Sequence, residues 1–383
     1  MQKMKTAMER RAKTKCRTVV ETLEDEILAG RYKSPATFPS VARIVRRFGV
    51  AHLTAVKVLD ELKKMGLVRS RQGAGTFVAP TAGRSIGLIV PAWQGSDFFP
   101  ALCGEVASVC QRKGRPLLFA DTSRISSAGM AKRLETIAES FVEQRVSGVM
   151  FHPVDFCERA QKVNRAVVDV FRAAGVPVVL LDCDIVNPPD ESGLDVVGID
   201  NISAGWRLGE HMLSRGARRI LYASVFSNVS PNAQARLAGL RDAVNANRDA
   251  TLFEYGMRPN ADGRLGECLR KTKADAVVCS SDRVAALVTK ELVTFGVRVP
   301  QDILVSGVND LTIATMVIPA LTTIHQPCAD IARVAFEMLE RRREEPEAPA
   351  MRVFLPAPLI VRESTSRNHS VEVTITNRKK GGL

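Results

Sequence analysis

No stretch of this 383-residue chain reaches the roughly 18 consecutive apolar residues that a membrane-crossing helix requires, so no membrane span is expected. The charged opening, Met1-Gln-Lys-Met-Lys-Thr-Ala-Met-Glu-Arg-Arg11, has no apolar run behind it and does not read as an export signal. The eight cysteines (Cys16, Cys103, Cys110, Cys157, Cys183, Cys268, Cys279 and Cys328) show no paired short spacings. Without an export signal they read as reduced thiols in a cytoplasm, not as a disulfide framework or a zinc site. The five histidines lack metal-ligand spacing as well, so neither a metal nor a cofactor is expected. Enzyme signatures are also missing: Gly-x-Gly-x-x-Gly, Gly-x-x-x-x-Gly-Lys-Ser/Thr and Gly-x-Ser-x-Gly do not occur. Binding, not catalysis, is the expectation.

Acidic residues are scarce in one place only. Residues 1–84 hold 18 Lys and Arg against 7 Asp and Glu, a net of +11 within the chain's total of +13. A basic small segment on a nearly neutral remainder is the electrostatic footprint of nucleic-acid binding. At about 150 residues per domain the length suggests two or three compact units. An apolar content of 45% supplies them with ample core. Small, turn-prone residues at Ala79-Pro-Thr-Ala-Gly-Arg84 mark the expected linker. Residues 1–15 read as a basic, disordered leader.

Within the basic segment, Val50, Leu53, Val56, Leu59, Leu62 and Met65 recur every third residue and predict one apolar helical stripe. His52, Thr54 and Lys57 fall on the other face. Upstream, Ser40 is placed to cap a shorter helix, Val41–Phe48, which Gly49 ends. Downstream, Gly66–Val78 reads as a strand, a basic glycine-rich tip and a second strand. Two helices and a basic hairpin make a winged helix-turn-helix, whose second helix enters a DNA groove. The ordered set Phe38-Pro39-Ser40, Gly49-Val50, Thr54, Leu59, Leu62, Gly66-Leu67-Val68 and Gly73-x-Gly75-Thr76-Phe77-Val78 resembles the GntR-type winged helix of bacterial regulators. The resemblance implies DNA contacts from Ser40, Arg43, His52, Thr54 and Lys57, and from Arg69, Arg71, Gln72 and Gly73 of the wing. Ala51-His52 and Val56 depart from a frequent Ser-Arg and Arg.

From Ser85 the texture changes. Eight short apolar runs, from Ile86–Val90 to Ile303–Ser306, alternate with amphipathic helical patterns. That alternation predicts βα units on parallel sheets, an α/β body with ligands at the carboxyl ends of its strands. A break at Asn187-Pro-Pro-Asp190 suggests two sheets with a cleft between them. Asp97-Phe98-Phe99, Val176-Pro-Val-Val-Leu-Leu-Asp182, Val197-Gly-Ile-Asp-Asn201, Arg236-x-x-Gly239-Leu240, Ser281-Asp282, Gly307-Val-Asn-Asp310 and Pro319-Ala-Leu-Thr-Thr-Ile-His-Gln-Pro327 resemble the effector domain of the LacI family. Its fold is shared with periplasmic sugar-binding proteins. The resemblance covers about 85–364, leaving a tail at 365–383.

That resemblance implies an effector site at Phe98 or Phe99, Asp155, Asp182, Arg236, Ser281, Asn309 and Gln326. An aromatic ring can stack on a sugar face, carboxylates accept hydroxyl hydrogens, and a guanidinium fork holds two oxygens. Ser281 and Asn309 stand where Asn and Asp are frequent, so the pocket is polar but weakly charged, which favours a neutral polyhydroxy ligand. The whole reads as a sequence-specific DNA-binding repressor, a homodimer controlled by a small molecule, expected to be a sugar. Two other readings are a sugar-binding module that carries a basic domain, and a regulator with a vestigial pocket that responds to a protein partner.

Overall fold

The structure, a computed structural model, describes residues 15–27, 31–32, 38–65, 67–71, 75–78, 85–90, 98–121, 127–154, 159–187, 189–225, 230–257 and 264–367. Gln72, Gly73, Asp155, Cys157, the linker 79–84 and the tail beyond Arg367 lie outside the described residues, as does nearly all of the leader.

The small N-terminal domain packs three helices under a hairpin. Helix α1 (residues 15–27) buries Val19, Leu23 and Ile27. Helix α2 (Val41–Phe48) buries Ile44, and α3 (His52–Lys64) buries Ala55, Val58, Leu59 and Leu62. Strands β1 (Val68–Arg71) and β2 (Gly75–Val78) pair antiparallel, with Val68 opposite Val78 and Arg71 opposite Gly75. Gly49 ends α2 as expected, with φ 60° and its N–H returned to the Val45 carbonyl. Ser40 is the N-cap residue, but its side chain makes no capping bond; only its carbonyl accepts, from Arg43 and Ile44.

The buried stripe of α3 differs from the expected one. Leu53 is 75% exposed and Met65 43% exposed, while Ala55 and Val58 are fully buried. The reason is geometric. A strict spacing of three falls short of a full turn by about 60° each time, so such a series walks around the helix. The observed set, 55, 58, 59 and 62, alternates steps of three and one or four and stays on one face.

The body has two lobes. In the first, β3 (Ile86–Val90), β4 (Leu117–Asp121), β5 (Gly148–Phe151), β6 (Val178–Leu181), β7 (Asp195–Ile199) and β13 (Arg352–Leu355) form one parallel sheet, ordered β13-β7-β6-β5-β3-β4. Helices α4 (Phe98–Arg112), α5 (Ser127–Glu143), α6 (Ala160–Ala173) and α12 (Cys328–Glu344) cover it. In the second, β8 (Arg219–Val225), β9 (Thr251–Met257), β10 (Ala276–Cys279), β11 (Leu304–Asn309), β12 (Thr322–His325) and β14 (Leu359–Ile360) are ordered β14-β12-β11-β10-β8-β9, with β14 alone antiparallel. Its helices are α7 (Asn201–Ser214), α8 (Pro231–Asn245), α9 (Arg264–Thr272), α10 (Asp282–Thr294) and α11 (Thr312–Met316).

The chain crosses between lobes after β7, after β12 and between β13 and β14. The break expected at Asn187–Asp190 is therefore not the lobe boundary; it lies in the excursion joining β6 to β7 of one sheet. Turn residues signal a reversal of the chain, not which sheet the next strand joins. The body also runs past its expected end at 364. Thr365 is fully buried and bonded to His211 and Thr322, and Arg367 reaches the Pro300 carbonyl.

Candidate nucleic-acid interface and interlobe site

A buried carboxylate sets the shape of the small domain. Glu26 of α1 accepts from Arg47 of α2, from Arg31 and from the Tyr32 hydroxyl at 3.0 Å. The Arg47 hydrogen bond above all holds its pKa down to about 2. Arg47 and Arg31 are thereby paired within the small domain, though both stay open to solvent. Among the basic residues facing outward are Arg43 and Arg46 on α2, Lys57 on α3 and Arg69 on the wing, all exposed. Ser40 and His52 are exposed too, and Thr54 is half-buried. The structure thus groups Ser40, Arg43, His52 and Lys57 along two adjoining helices, with Arg69 on the hairpin beyond. Arg71 lies opposite Gly75 in the strand pair, and Gln72 and Gly73 lie outside the described residues. Leu53, absent from the expected set, stands on the same outward face.

At the carboxyl ends of the sheet strands, side chains from both lobes meet in one hydrogen-bonded chain. Arg236 of α8 donates to the Asn201 side-chain oxygen and, at 3.4 Å, to the Ser280 carbonyl. Asn201 Nδ2 donates to Asn232 Oδ1 at 3.2 Å, and Asn232 Nδ2 donates to Asp182 Oδ2 at 2.6 Å. Gln326 Nε2 donates to the other Asp182 oxygen at 2.9 Å. An arginine can only donate and a carboxylate only accept, so the two ends orient both asparagine amides between them. The Nε of Arg236 is buried and has no partner among the described residues. A buried donor left unmatched costs about 1–3 kcal/mol, so an acceptor placed there would relieve a real penalty.

Asp182 directly follows β6 with φ 69° and Asn309 ends β11 with φ 110°. Asp and Asn tolerate the left-handed region best of the non-glycine residues, and such backbone clusters at binding sites. Behind Asp182 lies His152, 3% exposed, with Nδ1 donating to the Pro153 carbonyl at 2.9 Å and Nε2 3.6 Å from Asp182 Oδ2. Phe99 packs edge-on against that imidazole at 4.8 Å, and Phe98 lies 5.5 Å from Phe99. Both phenylalanines are buried in the first turn of α4, so the pair acts as a wall and neither ring stands free.

The expected residues therefore separate. Asp182, Gln326 and Arg236 converge. Ser281 and Asn309 stand at the ends of the neighbouring strands β10 and β11, and the Ser281 hydroxyl caps α10 by accepting from Val284 N at 3.3 Å. Asn201, Asn232 and His152 join the site without having been assigned to it. Asn232 carried a readable signal: it lies four residues before Arg236, one turn up the same helix face.

A cavity of about 960 Å³ opens elsewhere, between α1 and the amino ends of the first-lobe strands, lined by Asp25, Arg145, Arg172, Asp195 and Arg342 among others. Its arginines are already engaged: Arg145 with Glu24 of α1 at 3.3 Å, Arg172 with Asp169, and Arg342 with Asp195. The Arg145–Glu24 pair crosses it from the body to α1, so it is a seam between domains; the convergent, partly unmatched polar groups are in the interlobe site.

Residues 15–78 match the bacterial regulatory proteins of the gntR family, and residues 210–365 match the periplasmic binding protein-like domain. The chain is 26% identical over 343 residues to the ribose operon repressor of Halalkalibacterium halodurans, spanning 87% of this chain and 95% of that protein. It is 26% identical over 356 residues to the arabinose metabolism transcriptional repressor of Geobacillus stearothermophilus, spanning 88% and 94%. A LacI family transcriptional regulator from Enterococcus faecium with bound ribose superposes with a TM-score of 0.61 at 20% identity, over 73% of this chain and 98% of that one. At that identity the likeness is one of fold.

Proposed function

We propose that this chain, which joins a gntR-type winged helix to a periplasmic-binding-protein-like body, is a cytoplasmic transcription repressor released or recruited by a small polyhydroxy effector. The effector reading is carried by the polar chain from Arg236 to Asp182. It draws on both lobes, balances one cation against one carboxylate, and ends in a buried guanidinium N–H without an acceptor among the described residues. A neutral ligand rich in hydroxyls, which both donate and accept, suits it better than a phosphate or dicarboxylate. The sugar repressors among the relatives favour the same class. Effector binding would shift the balance between open and closed lobes. In a homodimer that shift changes how two winged helices meet half-sites about one helical turn apart.

The test is a sugar panel, including ribose and arabinose, titrated calorimetrically against the parent and Arg236→Ala. Loss of hydrogen bonds to a charged group should cost about 1.5–3 kcal/mol, a ten- to hundredfold weaker effector. Operator affinity without effector should stay within twofold. Loss of both affinities together would show that Arg236 serves only to hold Asn201 and the Ser280 carbonyl.

For the other domain, Thr54→Ala with Lys57→Ala should weaken operator binding by about 1–3 kcal/mol, the scale of one good base contact. Lys57 is exposed and Thr54 half-buried, clear of the four core positions of α3, so the melting temperature should hardly move. Operator binding as tight as the parent's would remove α3 as the reading helix.

A further inference from the structure

We propose that Leu53, in the first turn of α3, reads the 5-methyl group of a thymine in the DNA major groove. The small domain buries most of its other large apolar side chains: Leu23, Ile44 and Leu62 are fully buried and Ile27 and Phe38 are 2% exposed, while Met65 is 43% exposed. Leu53 is 75% exposed in the whole chain, so neither its own domain nor the body covers it. A lone exposed leucine is ordinary on a protein surface. This one is set apart by its place.

It shares the outward face of α3 with Lys57 and Asp60 at helical spacing, beside exposed His52, while half-buried Val56 flanks it one turn along. Arg43 and Arg46 of α2 and Arg69 of the wing stand outward around that face. Much of the chain's surplus positive charge lies in this segment. A cationic rim of that kind draws in the phosphates of a duplex and leaves the apolar group to face base edges. Among the four bases only thymine presents a methyl group in the major groove. A leucine makes no hydrogen bond, so it gains from that methyl, and it leaves the N4 amine of a cytosine without an acceptor if it excludes water there.

The assignment rests on the reading of α3 as the helix that enters the groove. The experiment selects binding sequences for the full chain from a random duplex pool. Each thymine of the selected site is then replaced singly by deoxyuridine, which removes only the methyl. Parent and Leu53→Ala are titrated on every duplex. At one thymine per half-site the parent should lose about fourfold in affinity, the scale of withdrawing one buried methyl. In a homodimer Leu53→Ala removes the contact from both half-sites, so it should bind the unsubstituted site about sixteenfold more weakly and be indifferent to deoxyuridine at that thymine alone. The assignment is overturned if no thymine shows a methyl effect in the parent, or if the effect persists undiminished in Leu53→Ala. It is equally overturned if Leu53→Ala changes the oligomeric state while leaving DNA binding untouched, since the side chain then meets another copy of the chain. Failure of the full chain to retain any duplex at low salt would instead sink the regulator reading itself.

Discussion

Gly239→Ala should destabilise the body by about 3 kcal/mol or more and weaken effector binding with it. A methyl at this position of α8 would overlap the Ile202 carbonyl oxygen outright and sit 2.8 Å from its carbon and 3.0 Å from the Trp206 amide nitrogen. All three atoms belong to the backbone of α7, so no side-chain rotation relieves the overlap and the helices must part. The mirror contact is as tight: a Cβ on Gly205 would overlap the Arg236 carbonyl oxygen and lie 2.7 Å from its carbon. Overpacking usually costs about 1–3 kcal/mol, and an overlap with backbone belongs at the upper end or beyond. Alanine's better helix propensity returns only about 1 kcal/mol of that. The functional consequence follows from what the helices carry. α7 begins with Asn201, and α8 holds Asn232 and Arg236; separating them by an ångström breaks the bonds that order the interlobe site. Gly104→Ala in α4 is the control, because nothing lies within 4 Å of its added methyl. That variant should gain about 0.5–1 kcal/mol. Urea titrations of the three proteins, with effector calorimetry alongside, check the set. An unchanged midpoint for Gly239→Ala would mean that α7 and α8 do not pack as described.

Those glycines show where the sequence is legible and where it is not. The Arg236-x-x-Gly239 spacing could be read, but nothing in it says that Gly239 meets a helix thirty residues earlier. The βα rhythm was readable because eight of the eleven parallel strands among the described residues are short apolar runs, most of them followed by an amphipathic helix. Strands β9, β12, β13 and β14 escaped for a shared reason. β9 alternates exposed and half-buried residues at a sheet edge, β12 is the polar Thr322-Thr-Ile-His325, and β13 and β14 are short edge pieces. Their strand state is imposed by neighbours, so propensity and pattern carry little of it. Of the stripe expected along α3, Val50, Leu59 and Leu62 are buried, but a strict spacing of three put Leu53 and Met65 where Ala55 and Val58 stand. Of the interlobe site, the charged members Asp182 and Arg236 were visible through resemblance. The asparagines between them were not assigned, because the bonds that tie Asn201 and Asn232 into the chain appear only once α7, α8 and β6 are placed together. Asp155 falls outside the described residues, so its place in the site remains a proposal.

Asp282→Asn should raise stability at pH 8, and by roughly half as much at pH 5. Asp282 opens α10 directly after Ser281 and is fully buried. Burial pushes its pKa up to about 6, against hydrogen bonds from Thr323 Oγ1 at 2.5 Å and Leu311 N at 2.8 Å; the nearby Asp310 charge adds to the rise, and Arg362 opposes it. There is no slack around the carboxylate, for a Cβ on Gly307 would overlap its Oδ1. A carboxyl whose folded pKa lies above its unfolded value of 3.8 favours folding most below that value. The contribution is then lost as pH rises through about 6. Two pKa units correspond to roughly 3 kcal/mol. His211 works in the opposite sense over much of the same range. Burial holds its pKa down to about 4, so the unfolded chain takes up its proton first as pH falls below 6.5, and stability drops there. The parent's own profile should therefore be shallow, and the difference between variant and parent isolates Asp282. Glu26 does not intrude, since its depressed pKa of about 2 acts only below pH 4.5. Asparagine keeps an oxygen for the Leu311 amide and turns its nitrogen to the Thr323 hydroxyl, which then accepts. The expected difference is about 2–3 kcal/mol in favour of the variant at pH 8, falling to roughly half of that at pH 5 and towards zero only below pH 3.8, read from urea midpoints between pH 8 and pH 5. A variant less stable than the parent by the same amount at every pH would mean that the ionised carboxylate is what Thr323 and Leu311 require, and that burial does not raise its pKa.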